Sequence, residues 1–281
     1  MSYRTLLVCL TDEKQAQALM PVAASVARQF NAHLIGLYAV HSPDIYASVS
    51  MQLSGDAIAE IKHMQQSQQN SVKAVFDAAA SKENFQCEWR VIETSSSATG
   101  EKLAEQARCA DLVIMSQVDP EDSQPGPAAR QRHLVEHSGR PVLVIPRYGN
   151  FETIGTRTLL GWSATGESAR AVHDAMPFII NSDDTRVFWV EGSDSTENSK
   201  LENTGHEIAR CINRHGAKAT VSHRKKTEIS IGDELLNEAA DTDTDLIVTG
   251  AYGHSKLYDF VLGATTSHLS RYMTVPVLFS N

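Results

Sequence analysis

Residues 245–269 read DLIVTGAYGHSKLYDFVLGATTSHL. Leu246-Ile247-Val248 has the length and branching of a buried strand, and it empties into a segment with glycines at 250, 253 and 263. Thr265 and Thr266 follow where a helix over about 263–272 begins. Strand, glycine turn and helix make one α/β unit, and its pieces occur twice. Asp111-Leu112-Val113-Ile114 answers Asp245-Leu246-Ile247-Val248, and Arg140-Pro141-Val142-Leu143-Val144 answers Val275-Pro276-Val277-Leu278-Phe279. Thr5-Leu6-Leu7 recurs as Thr158-Leu159-Leu160, each ahead of a helical pattern with Met-Pro, at Met20-Pro21 and Met176-Pro177. The chain is a tandem repeat.

Within each half, short apolar runs alternate with longer amphipathic stretches, which predicts parallel strands joined by crossover helices. The runs fall at 5–10, 33–40, 86–92, 111–116 and 141–145, then at 158–163, 186–191, 217–223, 245–249 and 275–279. The fold class is therefore α/β, with two repeated open parallel five-stranded sheets carrying helices on both faces, Rossmann-like. The segment 56–84, with Ile58, Ile61, Met64, Val72, Val75 and Phe76, reads as an amphipathic helix over the sheet. The preceding segment, His41 to Gly55, reads as a connector, with a lid as the sharper alternative. The joint near 147–157 holds Gly149, Asn150 and Gly155, and few contacts are expected to cross it. The domains are expected at 1–147 and 156–281.

The 281 residues, 42% of them hydrophobic, suffice for a packed core in each half. No basic leader with an apolar core is present, and no run approaches the ~20 apolar residues that cross a bilayer. A cytoplasmic protein without membrane partners is expected. The net charge of −9 argues against nucleic acid, and Arg224-Lys225-Lys226, the one basic cluster, reads as a solvated face. Cys9, Cys87, Cys109 and Cys211 have no ligand spacing and read as reduced core thiols.

In open α/β sheets ligands bind outside the carboxyl ends of the strands, where the glycine segment is expected. Gly250 and Gly253 allow close approach of backbone, and the free N–H groups at the helix start can hold phosphate oxygens, with hydroxyls from Thr265 and Thr266. On this chemistry alone, glycines that only turn the chain and a threonine that only caps a helix fit as well.

The spacing Gly250-x2-Gly253-x9-Gly263, its lead-in Asp245 to Gly250, the Gly253-His254-Ser255 turn and Val275-Pro276-Val277-Leu278 resemble the universal stress protein family over nearly the whole chain, as a tandem UspA-like pair. That resemblance implies the adenine nucleotide alpha hydrolase-like fold. It also implies ATP or a related adenine nucleotide, with Mg as a candidate companion. Phosphate and ribose would rest on Gly250, Gly253, Gly263, Ala264 and Thr265, with Ser163 and Val190 near the base. The chain departs from the family in two ways. Ala264 replaces the Ser or Thr usual after the last glycine, and the Asp that usually ends the first strand is replaced by Ala164 and, in the first half, by Thr11 beside Asp12. Each lost charged hydrogen bond costs about 1.5–3 kcal/mol, roughly ten- to a hundredfold in affinity.

In the first half the answering segment is Ser116-Gln117-Val118-Asp119-Pro120-Glu121-Asp122, with prolines also at 125 and 127. Carboxylates repel phosphate and prolines donate no N–H, so this half reads as a degenerate domain, silent for nucleotide. The family pairs domains through their last strands, which implies an intramolecular pseudo-dimer of Val142-Leu143-Val144 with Val277-Leu278-Phe279 and leaves a homodimer open. Elsewhere, the i, i+4 pair His133 and His137 flanks Glu136, and surface histidines are the simpler reading against a metal site. His254 and Tyr252 could meet a nucleotide or merely face solvent and pack. Three functions follow: a nucleotide-binding stress protein, a ligand-free interaction module with an unidentified protein partner, and a slow ATPase. No general base stands out for the last, and no catalytic residue is assigned.

Overall fold

The computed structural model describes residues 2–41, 55–119, 125–253 and 263–281. The first half runs β1 (Thr5–Leu10), α1 (Glu13–Phe30), β2 (His33–His41), α2 (Gly55–Ala80), β3 (Cys87–Thr94), α3 (Thr99–Ala107), β4 (Leu112–Ser116), α4 (Pro125–His137) and β5 (Val142–Ile145). The second runs β6 (Arg157–Gly161), α5 (Gly166–Asp174), α6 (Met176–Asn181), β7 (Asp184–Glu191), α7 (Ser195–Arg214), β8 (Ala219–Lys225), α8 (Ile231–Asp241), β9 (Leu246–Gly250), α9 (Ala264–Tyr272) and β10 (Val277–Ser280). Ten strands form one sheet in the order β3-β2-β1-β4-β5-β10-β9-β6-β7-β8. All neighbours are parallel except β5 and β10, which run antiparallel with Val142, Leu143 and Val144 opposite Phe279, Leu278 and Val277. Each half keeps the order 3-2-1-4-5, and the seam joins their last strands.

The apolar runs become strands because both faces of the sheet are covered, so Leu6, Leu7, Leu112, Val113, Leu143, Leu159, Leu246, Ile247 and Leu278 are all fully buried. The repeated aspartates anchor the strand starts. Asp111 accepts from the backbone N–H groups of Arg4 and Thr5, and Asp245 from those of Gly155, Thr156 and Arg157, at 2.7 to 3.1 Å. The Met-Pro pairs diverge. Pro21 lies inside the continuous α1, whereas Pro177 stands in the first turn of α6, after α5 has ended at Asp174. A proline fits a first turn because its missing N–H has no helical partner there. The eighth strand starts two residues later than its apolar run, since Asn213 Oδ1 takes the Ala219 N–H at 2.7 Å, and it continues through Lys225 opposite Glu191.

The joint between halves is packed, contrary to the expectation of few contacts. Ser25 Oγ donates to Glu152 O at 2.7 Å, Ile154 is buried, and Tyr3, Phe30 and Phe178 meet edge to face with centroids 5.0 to 5.5 Å apart. Tyr3 Oη also donates to Asp174 O at 2.6 Å. Arg224 is likewise no free cation. It meets Glu238 at 2.8 Å, Asp241 at 2.6 Å and the buried Glu234 at 3.6 Å, and the Asp241 hydrogen bond raises its pKa. Among the described residues no helix is long and apolar enough to cross a membrane.

Of the four cysteines only Cys9 is buried, and Cys109, expected in the core, is exposed. Burial pushes the Cys9 thiol up to about 12, so it stays protonated at neutral pH. The thiolate is the reactive species. At pH 8 a thiol-disulfide reagent should therefore modify Cys109 promptly and leave Cys9 untouched until the protein is denatured. Prompt native labelling of Cys9, read by peptide mass, would contradict this burial.

Candidate functional site

In the second half the order β8-β7-β6-β9-β10 places a topological switch point between β6 and β9, because the chain leaves β6 toward β7 on one side and arrives at β9 on the other. The crevice outside the carboxyl ends of such strands is where open α/β sheets take ligands. Gly161 ends β6 opposite Thr249, and Gly250 ends β9 opposite Ser280. The two strand ends thus lie side by side, and both chain segments that leave them enter helices.

From β6 the chain passes through Ser163 and Ala164 to Thr165, which begins α5. Ala164 adopts a left-handed φ of 53°, which is strained for a residue with a Cβ. Thr165 and Ser168 form a capping box: the Ser168 N–H donates to Thr165 Oγ1 at 3.3 Å and the Thr165 N–H to Ser168 Oγ at 3.1 Å. Ser163 is exposed, with its hydroxyl 3.1 Å from that of Thr165. The capping box thereby satisfies the N–H groups of Thr165 and Ser168 at the start of α5.

From β9 the chain passes through the buried Ala251 to Tyr252 and Gly253. Gly250 is a packing requirement. A Cβ there would lie 2.7 Å from the backbone carbon of Glu167 and from the nitrogen of Ser168, so β9 ends directly against the first turn of α5. At Gly253 a Cβ would meet the Glu167 carboxylate, with its atoms 2.8 to 3.1 Å away. Gly263, at φ 82°, precedes α9, whose start has no side-chain cap, so the amides of Ala264 and Thr265 take nothing from a capping residue. Tyr252, itself at φ 52°, ties the two glycine positions together. Its ring carbons come within 2.8 Å of a Cβ on Gly263, and its N–H points to Thr266 Oγ1 at a long 3.4 Å. Burial raises the Tyr252 hydroxyl above the usual phenol range, and the nearby Arg132 works in the opposite sense.

The structure thus brings together Gly250, Gly253, Gly263, Ala264 and Thr265, and it sets Ser163 at the adjoining strand end. Val190 stands one place before the end of β7, half-buried, and packs on the core cluster that holds Leu235 and Ala239. His254 lies outside the described residues, as do 42–54, read as connector or lid, and Pro120, Glu121 and Asp122 of the first half. Two residues of the site carried no expectation. Glu167 had a faint signal, an acid in a helix start opened by Thr165-x-x-Ser168, where carboxylates are favoured by the dipole. Arg132 had none, because it reaches Tyr252 from the other half.

The first half uses the equivalent strand end differently. Gln117, just past β4, donates to Arg271 O at 2.9 Å and Ser270 O at 3.1 Å, and accepts from the Arg147 N–H at 3.2 Å. Gln131 adds a bond to Ser270 Oγ at 3.2 Å, and Asp119 pairs with Arg147. What would be a ligand edge is a clasp on the last carbonyls of α9. Asp12, beside Thr11, caps α1 by accepting from the Gln15 N–H at 2.9 Å. The His133 and His137 rings lie 4.3 Å apart with Glu101 3.0 Å from His133, and among the described residues no group of three or more His, Cys, Asp or Glu side chains could hold a metal ion.

A family model described as the universal stress protein family matches residues 2–146 and again 164–280. The chain belongs to the universal stress protein family. Universal stress protein Slr1230 of a Synechocystis strain is 21% identical over 98% of this chain and 99% of its own. A universal stress protein from Archaeoglobus fulgidus superposes with a TM-score of 0.66 at 13% identity, covering 98% of this chain and 96% of its own. A functionally unknown protein of Pseudomonas aeruginosa superposes at 0.60 and 16% identity, over 99% and 92%. At such identities the superpositions show a shared Rossmann-like fold, here of a universal stress protein that carries the fold twice.

Proposed function

We propose that this universal stress protein binds one adenine nucleotide, ATP or a close relative, in the second of two domains at 1–147 and 156–281, and acts in a cytoplasmic stress response through a protein partner. The observation that carries the reading is the uncapped start of α9 behind the left-handed Gly263, beside Gly250 at the switch point. Free amides at a helix start, with the helix dipole behind them, suit phosphate oxygens. Gly250, Gly253, Gly263, Ala264 and Thr265 would face phosphate and ribose, with Ser163 and Val190 toward the base. In the first half Gln117 is occupied with α9, which supports a single site.

Denatured, freshly purified protein should release adenine nucleotide detectable by mass, and ATP titrated with and without Mg2+ should bind. Gly263→Asp should weaken ATP at least tenfold, because a carboxylate at that position takes the free amides itself and repels phosphate. Absence of binding at millimolar ATP in the unaltered protein would end the nucleotide reading.

A second reading is a ligand-free interaction module. The Glu167 carboxylate beside Gly253 favours it, since it places negative charge where phosphate would come.

A further inference from the structure

We infer that Arg132, from the first half, is a positioning residue for the second half's site, acting through Tyr252. The inference rests on the nucleotide reading above for its ligand, but its geometry stands apart from it. Tyr252 is held at three points. Its backbone is in the left-handed region at φ 52°, a conformation that a bulky side chain keeps only when its surroundings impose it. Its ring edge lies on Gly263, where a Cβ would come within 2.8 Å of Cδ1, and its N–H addresses Thr266 Oγ1. The third point is foreign to the second half. The guanidinium of Arg132 on α4 lies over the ring, 5.0 Å from its centroid, and is itself oriented by Glu136, whose Oε1 accepts from Nε at 2.9 Å.

These contacts have a geometric consequence. Gly253 and Gly263 bound the segment 254–262, and Tyr252 links the strand side of that segment to the first turn of α9. A ring fixed on Gly263 sets the position of the amides at Ala264 and Thr265 relative to Gly253 before any ligand arrives. Binding to groups already in place costs less ordering entropy than binding to groups that must be gathered. A guanidinium over a partly buried aromatic ring contributes an attraction equivalent to about threefold to tenfold in an equilibrium. Arg132 supplies that attraction from the degenerate half, so the half that reads as silent for nucleotide would set the affinity of the other.

The test is a double-mutant cycle on the full-length protein, with ATP affinity measured by calorimetry for the unaltered chain, Arg132→Gln, Tyr252→Ala and the two combined. Arg132→Gln should weaken ATP about threefold to tenfold, and should change nothing once Tyr252→Ala is present. In a Tyr252→Phe background, which keeps the ring, Arg132→Gln should still weaken ATP about threefold to tenfold. An equal loss from Arg132→Gln in both backgrounds would show a general charge effect and overturn the inference, as would a change under twofold. A second arm needs no ligand. Hydrogen exchange at Tyr252 and Ser267 should speed up at least threefold in Arg132→Gln, and unchanged rates would overturn the positioning role. Should the unaltered chain fail to bind ATP, the nucleotide reading falls and the exchange arm still decides whether Arg132 holds Tyr252.

Discussion

Leu278→Ala should lower the unfolding free energy by about 3–4 kcal/mol and weaken both halves together. Leu278 is fully buried at the centre of the seam, opposite Leu143 of β5 and beside Val248 of β9. Removing its branched end leaves a cavity in a sheet covered on both faces, and the surrounding strands cannot collapse into it without breaking their ladders. The aromatic trio Tyr3, Phe30 and Phe178 and the buried Ile154 couple the halves away from the seam, so a loss there is felt on both sides. Urea unfolding should show one transition at a lower midpoint, and hydrogen exchange should rise in β1 and in β6 alike. Exchange that rises in β6 while β1 keeps its protection would mean that the halves unfold independently, and the continuous-core account would fail.

Gly250→Ala should cost about 3 kcal/mol, the upper part of the range for overpacking. The added Cβ has no flexible neighbour to displace: it meets the backbone of Glu167 and Ser168 at 2.7 Å and Glu167 Cβ at 2.9 Å. Relief requires β9 and α5 to separate, which would pull Gly253 and the first turn of α5 apart. On the nucleotide reading proposed above, ATP affinity should fall more than tenfold along with stability. Gly166→Ala is the control, since a Cβ there meets nothing within 4 Å. A Gly250→Ala protein whose urea midpoint matches that of Gly166→Ala would refute the close approach of strand end and helix start.

Much of this fold is legible in the sequence because strands buried on both faces must be apolar along their whole length. Leu6-Leu7 and Leu159-Leu160 announce themselves, and so do the aspartates at 111 and 245 that fasten the strand starts. The meeting of β5 and β10 came from family resemblance; periodicity carries no information on which edge strands pair. Pairings across halves leave no local trace. Gln117 on the end of α9 is separated from Arg271 by 154 residues, and nothing near Gln117 or Arg132 in the chain marks either as a partner of the second half. Pro21 and Pro177 show the limit from the other side. The same dipeptide sits within one helix in the first half and begins a new one in the second, because the tertiary setting of each helix decides.

At the candidate site the glycine spacing was visible and its occupants were not. Gly250, Gly253 and Gly263 are required by what lies against them, which is α5, the Glu167 carboxylate and the Tyr252 ring. A glycine in a sequence records that something comes close without recording what.

The β5–β10 ladder also changes the kind of equilibrium that governs assembly. Because both strands belong to one polypeptide, their pairing is unimolecular, and the joint remains intact however dilute the protein becomes. Two separate chains paired in the same way would have to find each other at a rate set by abundance, so carrying both domains in one chain makes permanent a pairing that would otherwise depend on concentration.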